Sequence, residues 1–422
     1  VSVAGYTPSD GKVLLKGKVS YNPQYPVTEY GFYYGKDMSS LTRVKADGED
    51  NNGEVNFQSE ISIPDADNYI YLSYAVNDFG ELRSKDSRTF TLSTIDLSAK
   101  GTANCYIVST PWKHRFKCTV KGNSDESVGD IASVEVIWET KNTDESVTKG
   151  EIIKSVTLVD DYIELYPSDN MTPGNALVAV KDVDGNILWS WHIWVVDYDP
   201  ESTRQLYRSG AIMMDRNLGA LDLDPDGVKV FGLLYQWGRK DPFVGCGNVN
   251  NASFAVTYPK EVISHKDFST GLNWLEYSIK CPTVVMDNCI WNRDDSLWMS
   301  NKTKYDPCPP GWKVPEGGPG VWEGFVHPNK QFSMGVVYDA LYSVPSAYYP
   351  QGGYTDGNST ILFPGYASYN WSCTPYYNDA YDFHFFNGYG RPEDRRSRDS
   401  QFSVRCSRDE EMYIKTCEVE NL

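Results

Sequence analysis

Nowhere does the sequence hold the roughly 18 consecutive apolar residues that a membrane-spanning helix needs, so no transmembrane segment is expected in this chain. Basic clusters are missing as well. The 39 Lys and Arg stand against 57 Asp and Glu, a formal charge of −18 that repels phosphate backbones and anionic lipid heads, and nucleic acid is not an expected partner. No Cys-x-x-Cys pair occurs and no histidine sits at finger-like spacing, which argues against a structural zinc site. Gly-x-Ser-x-Gly and His-Glu-x-x-His are also absent, and the five histidines offer little general-base chemistry. A glycosidase carboxylate pair stays open only because such pairs are set in space rather than in sequence. The chain starts directly in an alternating pattern, without a basic n-region or an apolar h-region. Any targeting peptide or lipid attachment site is therefore expected in a segment outside it.

What the sequence has in quantity is aromatic residues and turn formers: 30 Tyr, 12 Trp, 34 Gly and 23 Pro in 422 residues. That mixture favours strands and turns over helices, and the length suits about three domains. Residues 1–97 alternate in short runs (VLLKGKVSY, TEYGFYYG, EVNFQSEISI, NYIYLSYAVN), the pattern of a β-sandwich. The pattern restarts over 98–202, where a second sandwich is the economical reading. In ILWSWHIWVV both alternating faces are apolar, which predicts a central strand covered on both sides, fed through a hairpin at Asp184-Gly185. His192, alone among tryptophans, is read as a packed residue with one satisfied nitrogen.

Residues 203–422 change character, with few regular alternations and many turn residues, as in a compact fold with long ordered loops. GVKVFGLLYQWGRKD and SMGVVYDALYS are expected to hold short helices, and QFSVRCS a strand. Asp222, Asp224 and Asp226 match the first half of a calcium loop, but Leu233 stands where its bidentate glutamate belongs. A solvated acidic turn is the preferred reading and calcium the alternative; no other cofactor is expected. In YDPCPPGWKVP (305–315) three prolines stiffen the backbone around Cys308, making a rigid corner.

Several stretches occur together in a known order: IMMDRNLGA (212–220), LLYQWGRKDPF (233–243), YDPCPPGWKVP, YNWSC (369–373) and FSVRC (402–406). In that order they resemble the "Fibrobacter succinogenes major paralogous" domain of Bacteroidetes surface proteins. ANCYIVS, VKGNS (120–124) and ILWSWHIWV resemble the sandwich that commonly precedes it, and IPDADNYIYLSYAVNDFGE resembles the late strands of fibronectin type III modules. The resemblance implies a C-type-lectin-like fold related to formylglycine-generating enzymes, together with export and a lipid or fimbrial attachment at the outer-membrane surface. Cys373 and the long insertions around 245–300 depart from the family pattern. The cysteine pair that holds copper in formylglycine-type oxidases has no counterpart here, and neither do the Glu-Pro-Asn and Trp-Asn-Asp motifs of calcium-dependent lectins.

The expected fold is thus mainly β: a fibronectin type III-like sandwich (1–97), an immunoglobulin-like sandwich (98–202) and a loop-rich α+β C-type-lectin-like domain (203–422). Prolines and Asp306 beside Cys308 disfavour a low-pKa nucleophile, which leaves a disulfide to Cys406 and a buried free thiol as the competing readings. Cys281 and Cys289 form a second candidate pair. The expected function is adhesion, by glycan or protein binding through exposed Tyr376, Tyr377, Asp379, Tyr389, Arg391 and Asp394, with Tyr366, Trp371 and Phe383 packed inward. A structural or tip subunit of a fimbria-like assembly is the alternative, and an enzyme comes third.

Overall fold

In β2 (Lys12–Ser20) of the first unit, Val13, Leu15, Gly17 and Val19 are buried and the residues between them are not, as a period of two demands of a half-buried strand. The computed structural model describes residues 1–9, 12–63, 68–91, 94–268, 273–287, 294–338, 346–356 and 360–410. They divide into two units, one comprising 1–95 with 111–114 and the other the remainder. Within the first unit, β1 (Ser2–Ser9), β2, β6 (Glu54–Ser62) and β5 (Asp47–Asp50) form one antiparallel sheet. The second sheet runs β4 (Thr42–Lys45), β3 (Glu29–Gly35), β7 (Asn68–Asn77) and β8 (Gly80–Arg83), with β9 (Arg88–Thr91) also paired to β7. The two sheets close on a common core of Leu15, Val55 and Phe57 against Phe32, Tyr71 and Phe90, with Trp112 joining it. Gly31 is obligatory there: a Cβ would lie 2.1 Å from the Val44 carbonyl oxygen.

The second unit is built on a five-stranded sheet. Its strands are β10 (Cys105–Val108), β11 (Ser133–Thr140), β14 (Gly174–Lys181), β15 (Ile187–Val195) and β16 (Thr257–Tyr258), in the order β10-β15-β14-β11-β16. β10 runs parallel to β15 and the other pairs are antiparallel. A hairpin of β12 (Ile153–Val159) and β13 (Tyr162–Pro167) supplies Ile153, Ile163 and Leu165 to the core on one face. Trp189, Trp191, Ile193 and Val195 of β15 pack there. Trp194 and Val196 on the opposite face pack with Leu218, Trp237, Trp298 and Phe402. Residues 98–202 and 203–410 therefore share a hydrophobic core inside one unit, and the boundary expected near residue 202 lies within it. The protein is mainly β. The helix α1 (Trp274–Lys280) is capped by Asn273, whose side chain accepts from the Glu276 amide.

One helical expectation is corrected outright and a second in part. Residues 227–241 form turns around the short strand Tyr235–Gln236, because Gly232 and Gly238 adopt left-handed φ of 78° and 82°, which a right-handed helix cannot contain. Within 333–343, Gly335–Tyr338 is a strand, and 339–343 lies outside the described residues.

The proline corner is held from both sides. Cys308 is bonded to Cys406, and Trp312–Lys313 pairs with Ser407–Arg408. The buried Asp306 carboxylate accepts from the Cys308 and Val314 amides and from Lys302 Nζ, each at 2.8 Å. Asn104, just before β10, donates to the Lys304 and Asp306 carbonyls. Cys105, Cys118, Cys246, Cys281 and Cys373 are free thiols. Cys289, the partner considered for Cys281, lies outside the described residues.

Candidate functional site

Beyond the corner, β17 (Ala367–Tyr376), β18 (Asp379–Phe386) and β19 (Tyr389–Ser397) form an antiparallel sheet in that order. Alternation along β18 sends Phe383 and Phe385 into a core with Trp322, Phe325, Tyr338 and Tyr349. It sends Asp382 and His384 to the other face. There Asp382 stands opposite Trp371 on β17 and Asp394 on β19, and His384 stands opposite Tyr369 and Arg391. Only one residue lies between 382 and 384, whereas two lie between 391 and 394. This bulge in β19 places Asp394, rather than Glu393, across from Asp382.

Asp382 is fully buried, and neither of its oxygens accepts a hydrogen bond among the described residues. His384 Nδ1 lies 3.7 Å from Asp382 Oδ2 and 2.8 Å from Asp394 Oδ2, and even the closer approach lacks hydrogen-bond alignment. Arg396 Nη1 is 3.0 Å from Asp394 Oδ2. Burial pushes the Asp382 carboxyl up to about 6. Burial also opposes charge on His384, but the carboxylates of Asp382 and Asp394 outweigh it and hold the imidazole above its ordinary value. For Asp394 burial pulls upward and loses to His384 and Arg396, so that its pKa is lowered. Among the described residues this is the one place where three metal-capable side chains converge, with ligand atoms within 4.8 Å of one another.

A run of rings leads from this cluster to the surface. His384 stacks on Tyr369 at 5.0 Å, Tyr369 meets Tyr354 at 4.4 Å, Tyr354 meets Phe363 at 6.4 Å, and Phe363 meets Phe386 edge-on at 5.0 Å. Exposure rises from 5 % at Tyr369 to 47 % at Phe363, and Phe386 at the end of the run is 38 % exposed. Tyr366, expected to pack inward, is 71 % exposed, because the 363–366 turn carries its ring outward while Gln351 binds its carbonyl. Trp371 and Phe383 are fully buried.

The six residues singled out for binding fall in three places. Tyr376, Tyr377 and Asp379 form the β17–β18 turn, where Tyr377 is 83 % exposed and Arg398 donates to the Tyr377 and Asp379 carbonyls. Tyr389 and Arg391 lie at the opposite end of β18, and Tyr389 touches His327. Eight residues of strand put about 23 Å between those ends, so the six side chains do not make one site. Asp394 alone joins the buried cluster. Asp382 and His384 were missed; the signal was Asp-Phe-His, whose spacing of two sets both polar groups on one face of a strand.

Asp222, Asp224 and Asp226 do not converge. The Asp224 and Asp226 amides donate to Asp222 and Asp224 respectively, and the Ser333 hydroxyl donates to Asp226, so the carboxylates close their own turn. A separate cleft of about 400 Å³ is lined largely by apolar side chains, including Phe243, Phe254, Ile263 and Val285, with Glu261 and Gln401 among its polar members. Its volume falls within the small-ligand range.

No family model matches the sequence, and no curated protein matches it. Among solved structures, a GH family 64 laminaripentaose-producing β-1,3-glucanase from Paenibacillus barengoltzii is similar at 10 % identity over 43 % of this chain and 47 % of the glucanase, with a TM-score of 0.17. This chain therefore spans less than half of that enzyme. The titin Ig tandem domains A164-A165 are 12 % identical over 46 % of this chain and 96 % of theirs, with a TM-score of 0.14. The chicken CNTN1 FN1-FN3 domains are 14 % identical over 50 % and 72 %, with a TM-score of 0.17. Likenesses this weak carry no functional argument. No helix among the described residues is long and apolar enough to cross a membrane.

Proposed function

We propose that this chain is a surface-displayed binding protein whose C-terminal sheet recognises a saccharide. The observation that carries the reading is the graded run of rings from Tyr369 through Tyr354 to Phe363 and Phe386, with Tyr366 projecting beside it and Arg396 and Asp394 at its foot. Apolar rings that come to the surface along a run whose foot carries charged hydrogen-bonding groups suit the two sides of a sugar, which offers C–H patches and hydroxyls together. The motif order resembling the Fibrobacter succinogenes major paralogous domain supports display at the outer-membrane surface. The Cys308–Cys406 bond supports passage through an oxidising compartment.

Glycan-array binding followed by calorimetry on the best hit tests the reading. Phe363→Ala combined with Phe386→Ala is expected to weaken binding at least tenfold, about 1.4 kcal/mol. Tyr376→Ala with Tyr377→Ala probes the turn at the far end of β18; loss there and not at Phe363 and Phe386 would move the site to the turn. Array silence, coupled with concentration-dependent self-association that Phe363→Ala weakens, would replace recognition with the role of an assembly subunit.

A further inference from the structure

Asp382 and Asp394 face each other across two strands, an unfavourable like-charge pair, and Asp382 has no exposed surface through which water could screen it. A buried carboxylate with two unused oxygens calls for a cation. His384 stands two residues along the same face, and its Nδ1 likewise lacks an aligned hydrogen bond. Ligand atoms about 2.1 Å from a tetrahedral ion lie about 3.4 Å from one another. The observed separations of 2.8 Å and 3.7 Å from His384 Nδ1 bracket that spacing.

We propose that Asp382, His384 and Asp394 form a binding site for a first-row divalent cation, with Zn²⁺ the best match. One imidazole nitrogen with two carboxylates suits Zn²⁺ better than calcium, which takes six to eight oxygens, or magnesium, which keeps several waters and octahedral oxygen geometry. The β19 bulge supplies the third ligand, since an unbroken register would set Glu393 across from Asp382. Arg396, beside Asp394, is the outer partner that orients this carboxylate. Asp394, half-buried at the cluster's outer side, provides the entry path. The alternative cations are the protonated His384 and Arg396 themselves; the site shares Asp394 and Arg396 with the saccharide reading but does not depend on a sugar being bound.

The test uses the full chain with its disulfide intact, stripped with a chelator and titrated with Zn²⁺ alone against a chromophoric competitor, then with Co²⁺ alone for its visible absorption. One equivalent is expected to bind, with a Co²⁺ spectrum of four-coordinate intensity and a rise in melting temperature. His384→Gln and Asp394→Asn should each weaken Zn²⁺ by more than the roughly 10–100-fold that outer partners carry. Asp394 is half-buried, so its variant keeps the test valid if His384→Gln fails to fold. Asp224→Asn, in the exposed acidic turn, should change nothing. Failure to bind, or binding that Asp394→Asn leaves intact, would overturn the site and leave an internally neutralised ion cluster.

Discussion

Two histidines in similar sequence settings have opposite fates, and the difference is what lies within a few ångströms. His192 Nε2 donates to Asn175 Oδ1 at 2.8 Å; that oxygen must accept, because the Asn175 amide nitrogen already serves Asn142 and the Gly219 carbonyl. With no carboxylate partner, burial drives its pKa down to about 3. Since the folded value lies below the unfolded value of about 6.5, His192 costs nothing above that pH and destabilises the fold as pH falls from about 6.5 toward about 3, by about 1.4 kcal/mol per unit. His192→Gln keeps a donor for Asn175 and removes the proton-binding site. Urea midpoints measured from pH 7 to pH 4 should therefore fall less steeply than in the parent, and an unchanged slope would contradict a neutral buried imidazole. His384, by contrast, has two carboxylates close by. Sequence alone legibly marked His192 as packed, because tryptophans flank it within its own strand. It could not mark His384, whose partner Asp394 arrives only through cross-strand register and a bulge.

At the level of elements, the corner at 305–315 shows which parts of a motif are readable. Proline chemistry announces the bend, and the two readings left for Cys308, a bond to Cys406 or a free thiol, are separated by the geometry. What the linear sequence hides is that Asp306 is the acceptor on which the bend closes, serving two amides and the buried Lys302 ammonium. Asp306→Ala would strand that ammonium without its charge partner and is expected to cost about 3–5 kcal/mol in a denaturant titration. Opening the 98-residue covalent loop with Cys308→Ser should cost a comparable amount, up to about 4–5 kcal/mol in the loop-entropy picture. The VKGNS stretch has a similar hidden partner. Gly122 sits at φ 52° with a Cβ position 2.3 Å from the Lys304 carbonyl oxygen, and Asn123 donates to the Lys302 carbonyl. Gly122→Ala should thus destabilise by strain and by collision, measurable as a lowered urea midpoint. The helices expected at 227–241 failed for a related reason: an apolar run resembles a helix until its glycines turn out to hold left-handed turns.

Across the molecule, strand content was legible because alternation and turn residues repeat at short range, and the doubly apolar pattern of β15 correctly required cover on both faces. Which segments provide that cover was not legible, since Trp194 joins one core with Trp237 and Trp298 only after more than forty intervening residues have folded. The shared core predicts that residues 98–202 alone, or 203–422 alone, will bind a hydrophobic dye and unfold without a sharp transition. A cooperative thermal transition in the isolated 98–202 fragment would show that the sandwich does not need its neighbour. The cross-link at the corner has a mechanical meaning too. If the second unit is stretched along its chain, tension reaching Cys308 passes straight to Cys406, and the roughly 330 Å of contour between them stays slack, so a single-molecule trace should lengthen by that amount only in reductant.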